Sequence, residues 1–258
     1  MPVHPSAVVH AGAKIHSTAQ IGPFCSIGDE VEIGPGSKLL ANIYVEGPTT
    51  IGADNVFQPF STVGVAPQDL KYHGERAETV IGDRNLIREF VTIHRGTEGG
   101  GTITQIGDDN LLQAYAHVAH DCVVGSHCIL AHGATLGGHV TIEDWAVVGA
   151  QSGVHQFCRV GAHSYIGGYS VITQDVMPFS VVVSDRGAKA YSVNKVGLER
   201  RGFTAEEVQR LHKTVRILTK SGLNTEQALE RIEAEVDHDE HVARLLDFIR
   251  SSKRGVVK

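Results

Sequence analysis

An aliphatic side chain recurs at every sixth position through most of this chain. The pattern runs from Val3 to Val63, continues from Ile81 to Ile93, and restarts in a new phase from Ile106 to Ile172. A fixed short period of this kind is the signature of a solenoid, in which each repeat buries its apolar residue against its neighbours. The sequence therefore predicts an all-β solenoid: a parallel β-helix of hexapeptide repeats with three short strands per coil.

Coil stacking gives this prediction a testable register. Three hexads make one coil, so residues eighteen apart should lie on neighbouring coils, roughly 4.8 Å from each other like other paired strands. The fifth position of the hexad is mostly small, which suggests a tight corner, and all four cysteines (Cys25, Cys122, Cys128 and Cys158) occupy it. We therefore expect them to be small packed side chains rather than metal ligands or disulfide partners.

The hexads stop near Asp185, and helical periodicity takes over. The segment from Thr204 to Gly222 opens with a capping box at Thr204 and Glu207, and carries an apolar face. Two more amphipathic helices are predicted in NTEQALERIEAEV and DEHVARLLDFIRSSK. We therefore expect a β-helix domain over residues 1–185 and a C-terminal α-helical domain over residues 186–258.

Charge and hydropathy exclude several classes of protein. The formal net charge is -6 and the charges are dispersed, so no basic arm for nucleic acid is present. No stretch approaches the roughly 20 apolar residues of a membrane-spanning helix, and MPVHPSAVVHAG lacks the features of a signal peptide. We expect a cytoplasmic protein that is not an integral membrane protein and binds no nucleic acid.

Two interruptions break the hexad rhythm, at Asp69–Val80 and at Gly99–Gln105. Irregular excursions from a regular scaffold commonly carry function. Both segments are therefore candidate functional loops.

The predicted register brings three chemically complementary groups together. His120 is the third residue of its hexad, and its column continues through Gly138 to Gln156, while the neighbouring column holds Asp121, His139 and Phe157. A histidine can act as general base, an adjacent carboxylate can fix its tautomer, and a bare backbone N–H can bind an oxyanion. This combination indicates acyl transfer.

A zinc enzyme is the competing interpretation, because His117, His120 and His139 offer three imidazoles. His117 and His120 occupy different positions in successive hexads, so no register obviously converges all three in one subunit. Ligands contributed by a neighbouring subunit leave open a zinc enzyme that resembles the γ-type carbonic anhydrases. A third interpretation is a non-catalytic scaffold of hexads.

Several strings in this chain resemble the UDP-N-acetylglucosamine O-acyltransferase family, which catalyses the first step of lipid A biosynthesis. They are QDLKY, IGDRNLIREFVTIHRGT, AHVAHDC, GGHV, VHQFCRVGAH and RRGF. The resemblance implies a left-handed β-helix, although the usual crossover preference is right-handed. It also implies a homotrimer that moves an (R)-3-hydroxyacyl group from acyl carrier protein to the glucosamine 3-hydroxyl of UDP-N-acetylglucosamine, with active sites between subunits and without a metal or organic cofactor.

The resemblance assigns roles to individual residues. It makes His120 the general base, Asp121 its orienting partner and Gly138 the oxyanion donor. Positions that contact the sugar nucleotide or line the site are Asp69, Lys71, His117, His139, His155, Gln156, Asn194, Arg200 and Arg201. Gly168 matches a residue that helps to set the end of the acyl groove, and a glycine there implies a longer chain, around fourteen carbons.

Two features bear on these assignments. The paired arginines lie where the hexads give way to helices, and guanidinium forks suit a pyrophosphate. Val196 stands where the family commonly has a glutamate, which puts one nucleotide contact in doubt.

The sister N-acyltransferase of the same pathway is an alternative, but that family carries an extra amino-terminal domain, whereas hexads here begin at Val3. The acyl-chain length and the choice between a 3-hydroxyl and a 3-amino sugar stay open.

Overall fold

Each hexad forms one two- to four-residue strand followed by a turn. A computed structural model describes residues 3–183 and 188–258 of the chain. The strands of the β-helix in chain order are β1 Val8–Val9, β2 Lys14–Ile15, β3 Gln20–Ile21, β4 Ser26–Ile27, β5 Val31–Ile33, β6 Lys38–Leu39, β7 Tyr44–Val45, β8 Thr49–Ile51, β9 Val56–Phe57, β10 Thr62–Val65, β11 Glu78–Ile81, β12 Leu86–Ile87, β13 Thr92–His94, β14 Ile103–Ile106, β15 Leu111–Leu112, β16 His117–Val118, β17 Val123–Val124, β18 Ile129–Leu130, β19 Thr135–Leu136, β20 Thr141–Ile142, β21 Val147–Val148, β22 Gly153–Val154, β23 Arg159–Val160, β24 Tyr165–Ile166 and β25 Val171–Ile172.

Every third strand joins the same sheet, so the coil has three faces. The first sheet contains β1, β4 and so on to β25, the second runs from β2 to β23, and the third from β3 through β24. All of these neighbours pair in parallel, and Val118 pairs with Leu136, which sits below Val154 one coil further on. We call the turns that follow the three sheets the first, second and third corners. The predicted eighteen-residue register is confirmed.

The aliphatic residue of each hexad points into the coil. Leu112, Val118 and Leu130 are 0% exposed, and burial of one such side chain contributes about 1.5–3 kcal/mol. The cysteines at the fifth position are buried as well, and all four are free thiols. The prediction of small packed cysteines is therefore confirmed.

The corner itself is made by the fourth residue of the hexad, one position before the small residue that the sequence suggested. Asp121, His139 and Phe157 have φ angles of 59°, 62° and 66°. This left-handed conformation costs roughly 1–2 kcal/mol for a residue with a side chain. Hydrogen bonds between coils offset the cost, as when the His139 N–H donates to the His120 carbonyl at 3.0 Å.

Both interruptions of the repeat emerge at the first corner. One joins β10 to β11 through residues 66–77, and the other joins β13 to β14 through residues 95–102 with a short 3-10 helix at Glu98–Gly100. Arg76 anchors the first loop by binding Glu30 through two hydrogen bonds of 2.8 and 3.1 Å. The second loop lengthens its coil, so Ile93 pairs with Val118, twenty-five residues on.

A hairpin and four helices follow the last coil. Strand β26 Ser180–Val183 pairs in parallel with β24 and antiparallel with β27 Lys189–Val193. The helices are α1 Lys195–Arg200, α2 Ala205–Lys220, α3 Thr225–Glu235 and α4 Glu240–Ser251. The predicted helix from Thr204 is α2, with its capping box intact, and the next two predictions are α3 and α4. Helix α1 was not predicted, and the expected boundary at Asp185 lies outside the described residues.

The helices enclose a second apolar core, which includes Met177, Phe179 and residues from α2 to α4. The chain then returns to the solenoid, where Val257 donates its N–H to the Asp175 carbonyl at 2.8 Å and is buried against the coil interior. Within residues 3–183 and 188–258, none of the helices combines the length and hydropathy needed to cross a membrane.

Candidate active site

His120 and Asp121 form a hydrogen-bonded pair at the first corner. His120 Nδ1 lies 2.8 Å from Asp121 Oδ2, and the two side chains are 14% and 0% exposed. With Asp121 as acceptor, Nδ1 carries the proton and Nε2 keeps its lone pair. The pair therefore holds the tautomer that a general base needs.

The second loop fixes the aspartate from the other side. The Thr97 N–H donates to Asp121 Oδ1 at 2.8 Å, the Thr97 hydroxyl donates to Oδ2 at 2.6 Å, and the Asp121 N–H donates to Thr104 Oγ1 at 2.8 Å. Gly100 packs so closely on the carboxylate that any side chain there would overlap it. The sequence pointed to this loop but not to Thr97, Gly100 or Thr104.

Gly138 lies directly against the imidazole of His120, as the register predicted. A Cβ on Gly138 would stand 2.5 Å from His120 Cε1 and 2.6 Å from Nε2. In the described part of the chain, no acceptor takes the Gly138 N–H. A glycine is therefore required for the histidine to occupy this position, and its N–H is available to a ligand.

His139 and Phe157 form the neighbouring column, with rings stacked at 4.3 Å. His139 Nε2 is 3.8 Å from Asp121 Oδ2, and the His139 ring meets that of His120 edge to face at 5.1 Å. Burial lowers the pKa of His139, while the Asp121 carboxylate opposes that shift. Burial therefore favours the neutral form of the His139 imidazole beside the His120–Asp121 pair.

His117 makes its contacts with the preceding coil. Its Nδ1 lies 2.6 Å from Thr92 Oγ1, and its ring packs edge to face against His94 at 4.9 Å. Burial, with a contribution from the charge of His120, lowers the pKa of His117, and burial lowers that of His94 to about 4. Among the described residues, the compact group of possible metal ligands is His120, Asp121 and His139, without His117. His94 was missed, although it stands in the string TIHRGT.

The two loops and the His139 column enclose a cavity of about 280 Å³. Asp69 and Lys71 line it from the first loop, Thr97 and Glu98 from the second, and His139 with Phe157 from the coil. Asp69 and Lys71 therefore join the first-corner site, as do the exposed side chains of His155 and Gln156 one coil away.

The remaining predicted residues lie at other corners. Asn194 caps α1 by accepting the Gly197 N–H and donates to the His163 carbonyl at 2.9 Å, at the second corner. Arg201 lies over the Trp145 ring at 5.1 Å, with Nη1 buried and without a partner in the described residues. Arg200 ends α1 with an exposed side chain. One chain therefore does not bring the arginines to His120.

Gly168 lies at the third corner. The left-handed residue of that turn is Tyr169, with φ of 59°, so the turn does not require a glycine at 168. A Cβ on Gly168 would stand 3.2 Å from the Ala150 carbonyl oxygen and 3.8 Å from the Ala150 nitrogen. The close approach to the backbone of the neighbouring coil therefore favours a small residue here.

In this hexapeptide β-helix a carboxylate holds a histidine against a bare backbone N–H. That combination defines an acyl-transferring enzyme of the hexapeptide class. A family model for bacterial transferase hexapeptide repeats matches residues 6–41 and 103–138. A second model, described as UDP N-acetylglucosamine O-acyltransferase, domain 2, matches residues 175–257.

Full-length relatives specify the family. The acyl-[acyl-carrier-protein]–UDP-N-acetylglucosamine O-acyltransferase of Syntrophobacter fumaroxidans is 44% identical over 100% of both chains, and that of Saccharophagus degradans is 45% identical over 99% of both. The solved structure of LpxA from Acinetobacter baumannii covers 100% of both chains at 40% identity, with a TM-score of 0.96. This chain belongs to the UDP-N-acetylglucosamine O-acyltransferase family. The predicted left-handed β-helix with a C-terminal helical domain is confirmed.

Proposed function

We propose that this acyltransferase moves an (R)-3-hydroxyacyl group from acyl carrier protein to the glucosamine 3-hydroxyl of UDP-N-acetylglucosamine, the first step of lipid A biosynthesis. One observation carries the assignment of the chemistry: Asp121 holds His120 against Gly138, whose N–H has no acceptor among the described residues. Family membership supplies the substrates that this chemistry would act on.

The reaction follows from the geometry of the pair. His120 Nε2 accepts the proton of the sugar hydroxyl as its oxygen attacks the thioester carbonyl. The Gly138 N–H donates to the resulting oxyanion, and the buried Asp121 carboxylate stabilises the imidazolium. When the tetrahedral intermediate collapses, the carbon–sulfur bond breaks and His120 returns its proton to the carrier thiolate.

The sugar nucleotide would occupy the first-corner cavity and extend to the arginines of a neighbouring copy, because one chain does not bring its own arginines to His120. Asp69, Lys71 and His139 line the cavity, and they offer hydrogen bonds to the sugar. Arg201 has a buried guanidinium nitrogen without a partner in the described residues, and Arg200 is exposed. Two adjacent guanidiniums suit a pyrophosphate better than lysines would, because each donates a planar pair of hydrogen bonds.

The acidic carrier protein would dock near the helical domain. Cations that could steer this partner are Lys189, Lys195, Arg210, Lys213, Arg216 and Lys220. Three of them already have partners: Arg210 binds Asp239 at 2.8 Å, Lys213 binds the Glu235 carbonyl, and Lys195 lies 3.7 Å from Glu199. Lys189, Arg216 and Lys220 are better suited to steer an acidic partner.

The division of the site among three corners supports a homotrimer. His120 lies at the first corner, Arg201 at the second and Gly168 at the third, so no single corner contains the base, the arginines and the proposed end of the acyl groove. A neighbouring copy that presents a different corner to His120 would complete the site.

The outer face of the third sheet offers an interface for that neighbour. Its outward column is apolar through six consecutive coils: Val56, Leu86, Leu111, Ile129, Val147 and Tyr165. The corresponding column of the second sheet includes Lys14, Glu32, Gln105 and Arg159. An apolar stripe of this length on one face only is typical of a surface that is covered by a partner.

Light scattering tests the assembly. Ile129→Glu places a charge in the centre of the apolar column and should convert the trimer into smaller species, whereas Thr141→Glu on the outer face of the second sheet should leave it intact. A monomeric wild-type chain, or a trimeric Ile129→Glu variant, would contradict the proposal.

We place the division between the two domains at the hairpin β26–β27 and the enzyme in the cytoplasm. Four buried cysteines without a disulfide are typical of a reducing compartment.

The activity is tested with purified chain, UDP-N-acetylglucosamine and hydroxyacyl carrier proteins of several chain lengths, with product detected by mass spectrometry. Absence of an ester product with every donor would refute the assignment, and a 3-amino sugar as the preferred acceptor would restrict it.

A further inference from the structure

Three side chains of the first corner converge as metal ligands do. One ligand atom each from His120, Asp121 and His139 falls within 4.8 Å of the others. His120 Nδ1 is 2.8 Å and His139 Nε2 is 3.8 Å from the same Asp121 oxygen, Oδ2. Zinc bonds to nitrogen and oxygen of about 2.0–2.2 Å at tetrahedral angles place ligand atoms roughly 3.4 Å apart. The two observed separations lie on either side of that value, so small side-chain movements would suffice.

The surroundings also suit a metal. Thr97 donates to both oxygens of Asp121, which orients the carboxylate from behind, as outer-shell partners of metal ligands do. His139 presents Nε2 to the same Asp121 oxygen that His120 Nδ1 contacts, at 3.8 Å. Asp69 lines the cavity beside His139 and adds negative charge on that side. Two imidazoles, one carboxylate and an open fourth position form a donor set that zinc accepts.

We propose that His120, Asp121 and His139 bind a divalent transition metal such as Zn²⁺, and that the bound metal inhibits acyl transfer. The metal takes the place of the hydrogen between His120 Nδ1 and Asp121. The imidazole proton then resides on Nε2, with no net gain or loss of protons. Nε2 can no longer accept the proton of the sugar hydroxyl. The inhibitory half of this proposal rests on the proposed function of His120, whereas the binding half does not.

Metal binding is measured without reference to turnover. The full-length chain, freed of metal by dialysis against a chelator, is titrated with Co²⁺, whose tetrahedral complexes absorb strongly in the visible range, and separately with Zn²⁺ by calorimetry. We expect one ion per chain, loss of binding in His139→Asn, and roughly 10- to 100-fold weaker binding in Thr97→Val. His127→Asn is the matched control, because His127 also lies near an aspartate, 3.9 Å from Asp109, but has no second histidine in the group.

Activity is measured in parallel. Saturating Zn²⁺ should lower turnover at least about 100-fold, the usual scale for a lost general base, and chelation should restore it. Absence of stoichiometric binding in a chain that turns over, or binding that persists in His139→Asn, overturns the metal site and leaves the enzymatic assignment standing. Full turnover with the metal bound overturns the inhibition and, with it, the role of His120 as base.

Discussion

Replacement of Gly138 by alanine tests the contact on which the catalytic assignment depends. The new Cβ would lie 2.5 Å from His120 Cε1 and 2.6 Å from Nε2, well inside the 3.4 Å at which ordinary contacts begin. The backbone of Gly138 is fixed because the Phe157 N–H donates to its carbonyl at 3.1 Å. The histidine ring must therefore be the group that moves.

The size of that movement sets the expected effect. Relief of the overlap requires a retreat of roughly 0.9 Å, and a displacement of about 1 Å at a reacting group can cost on the order of 10²-fold in rate. The free energy of unfolding should rise slightly or stay unchanged. Gly138 has no left-handed φ, and alanine at such a site restricts the unfolded chain by about 0.4–1 kcal/mol.

The assay compares kcat, KM and thermal unfolding for Gly138→Ala and for Gly153→Ala. Gly153 is the matched control because it lies one coil away and a Cβ there meets no atom of the described residues within 4 Å. We expect kcat to fall about 100-fold in Gly138→Ala alone, with folding intact in both variants. Wild-type kcat in Gly138→Ala would refute the reasoning, since the imidazole could then not lie against this backbone during the reaction.

Four further predictions concern other parts of the molecule. His120→Ala should fold and assemble but lose at least about 100-fold in turnover, and near-normal turnover would exclude the base role. Arg200→Ala and Arg201→Ala should each raise KM for the sugar nucleotide; an unchanged KM would assign them to the carrier instead. Gly168→Met should slow a fourteen-carbon donor selectively, at roughly 0.8 kcal/mol per excluded methylene, whereas an equal loss with a ten-carbon donor would contradict the chain-length role. Burial lowers the pKa of His94 to about 4, so the unfolded chain takes up a proton near pH 6.5 that the folded chain does not. The contribution of His94 to the free energy of unfolding is therefore fully present above about pH 6.5 and is lost as the pH falls toward 4. Urea unfolding of wild type and His94→Asn at pH 7 and pH 5 checks this, and parallel pH slopes would refute it.

The β-helix could be predicted almost completely because the six-residue aliphatic period and the small fifth position both indicate it. One inward residue per hexad determines the sheets, and their register follows from the period alone. The stack of His120 on Gly138 follows from that register. The left-handed φ at the fourth position could not be read in the same way, because residues as different as Asp121, Trp145 and Phe157 occupy it.

The irregular segments were predicted in position but not in contacts. The sequence marked the loop that begins near Gly99, yet only the structure shows Thr97 bonded to both oxygens of Asp121. Loop side chains obey no period, so their partners depend on the path of the whole coil. Helix α1 escaped prediction for another reason: its six residues are too few for a helical period to register, and tertiary contacts of Asn194 at its N-terminus support it.

The proposed catalytic pair depends on departures of this solenoid from its own repeat. Regular hexads supply a rigid column in which third-position side chains and backbone N–H groups recur at every coil, but those groups are equivalent from one coil to the next. Two loops inserted at one corner remove that equivalence, since they bury Asp121 under Thr97 and enclose a cavity beside His139. His120 thereby differs from His132, which occupies the same hexad position at the third corner, is exposed and has no acidic partner in the described residues. A third-position histidine is thus a surface group where the coil is regular, and where the coil is interrupted it is held by a buried carboxylate, as the proposed base requires.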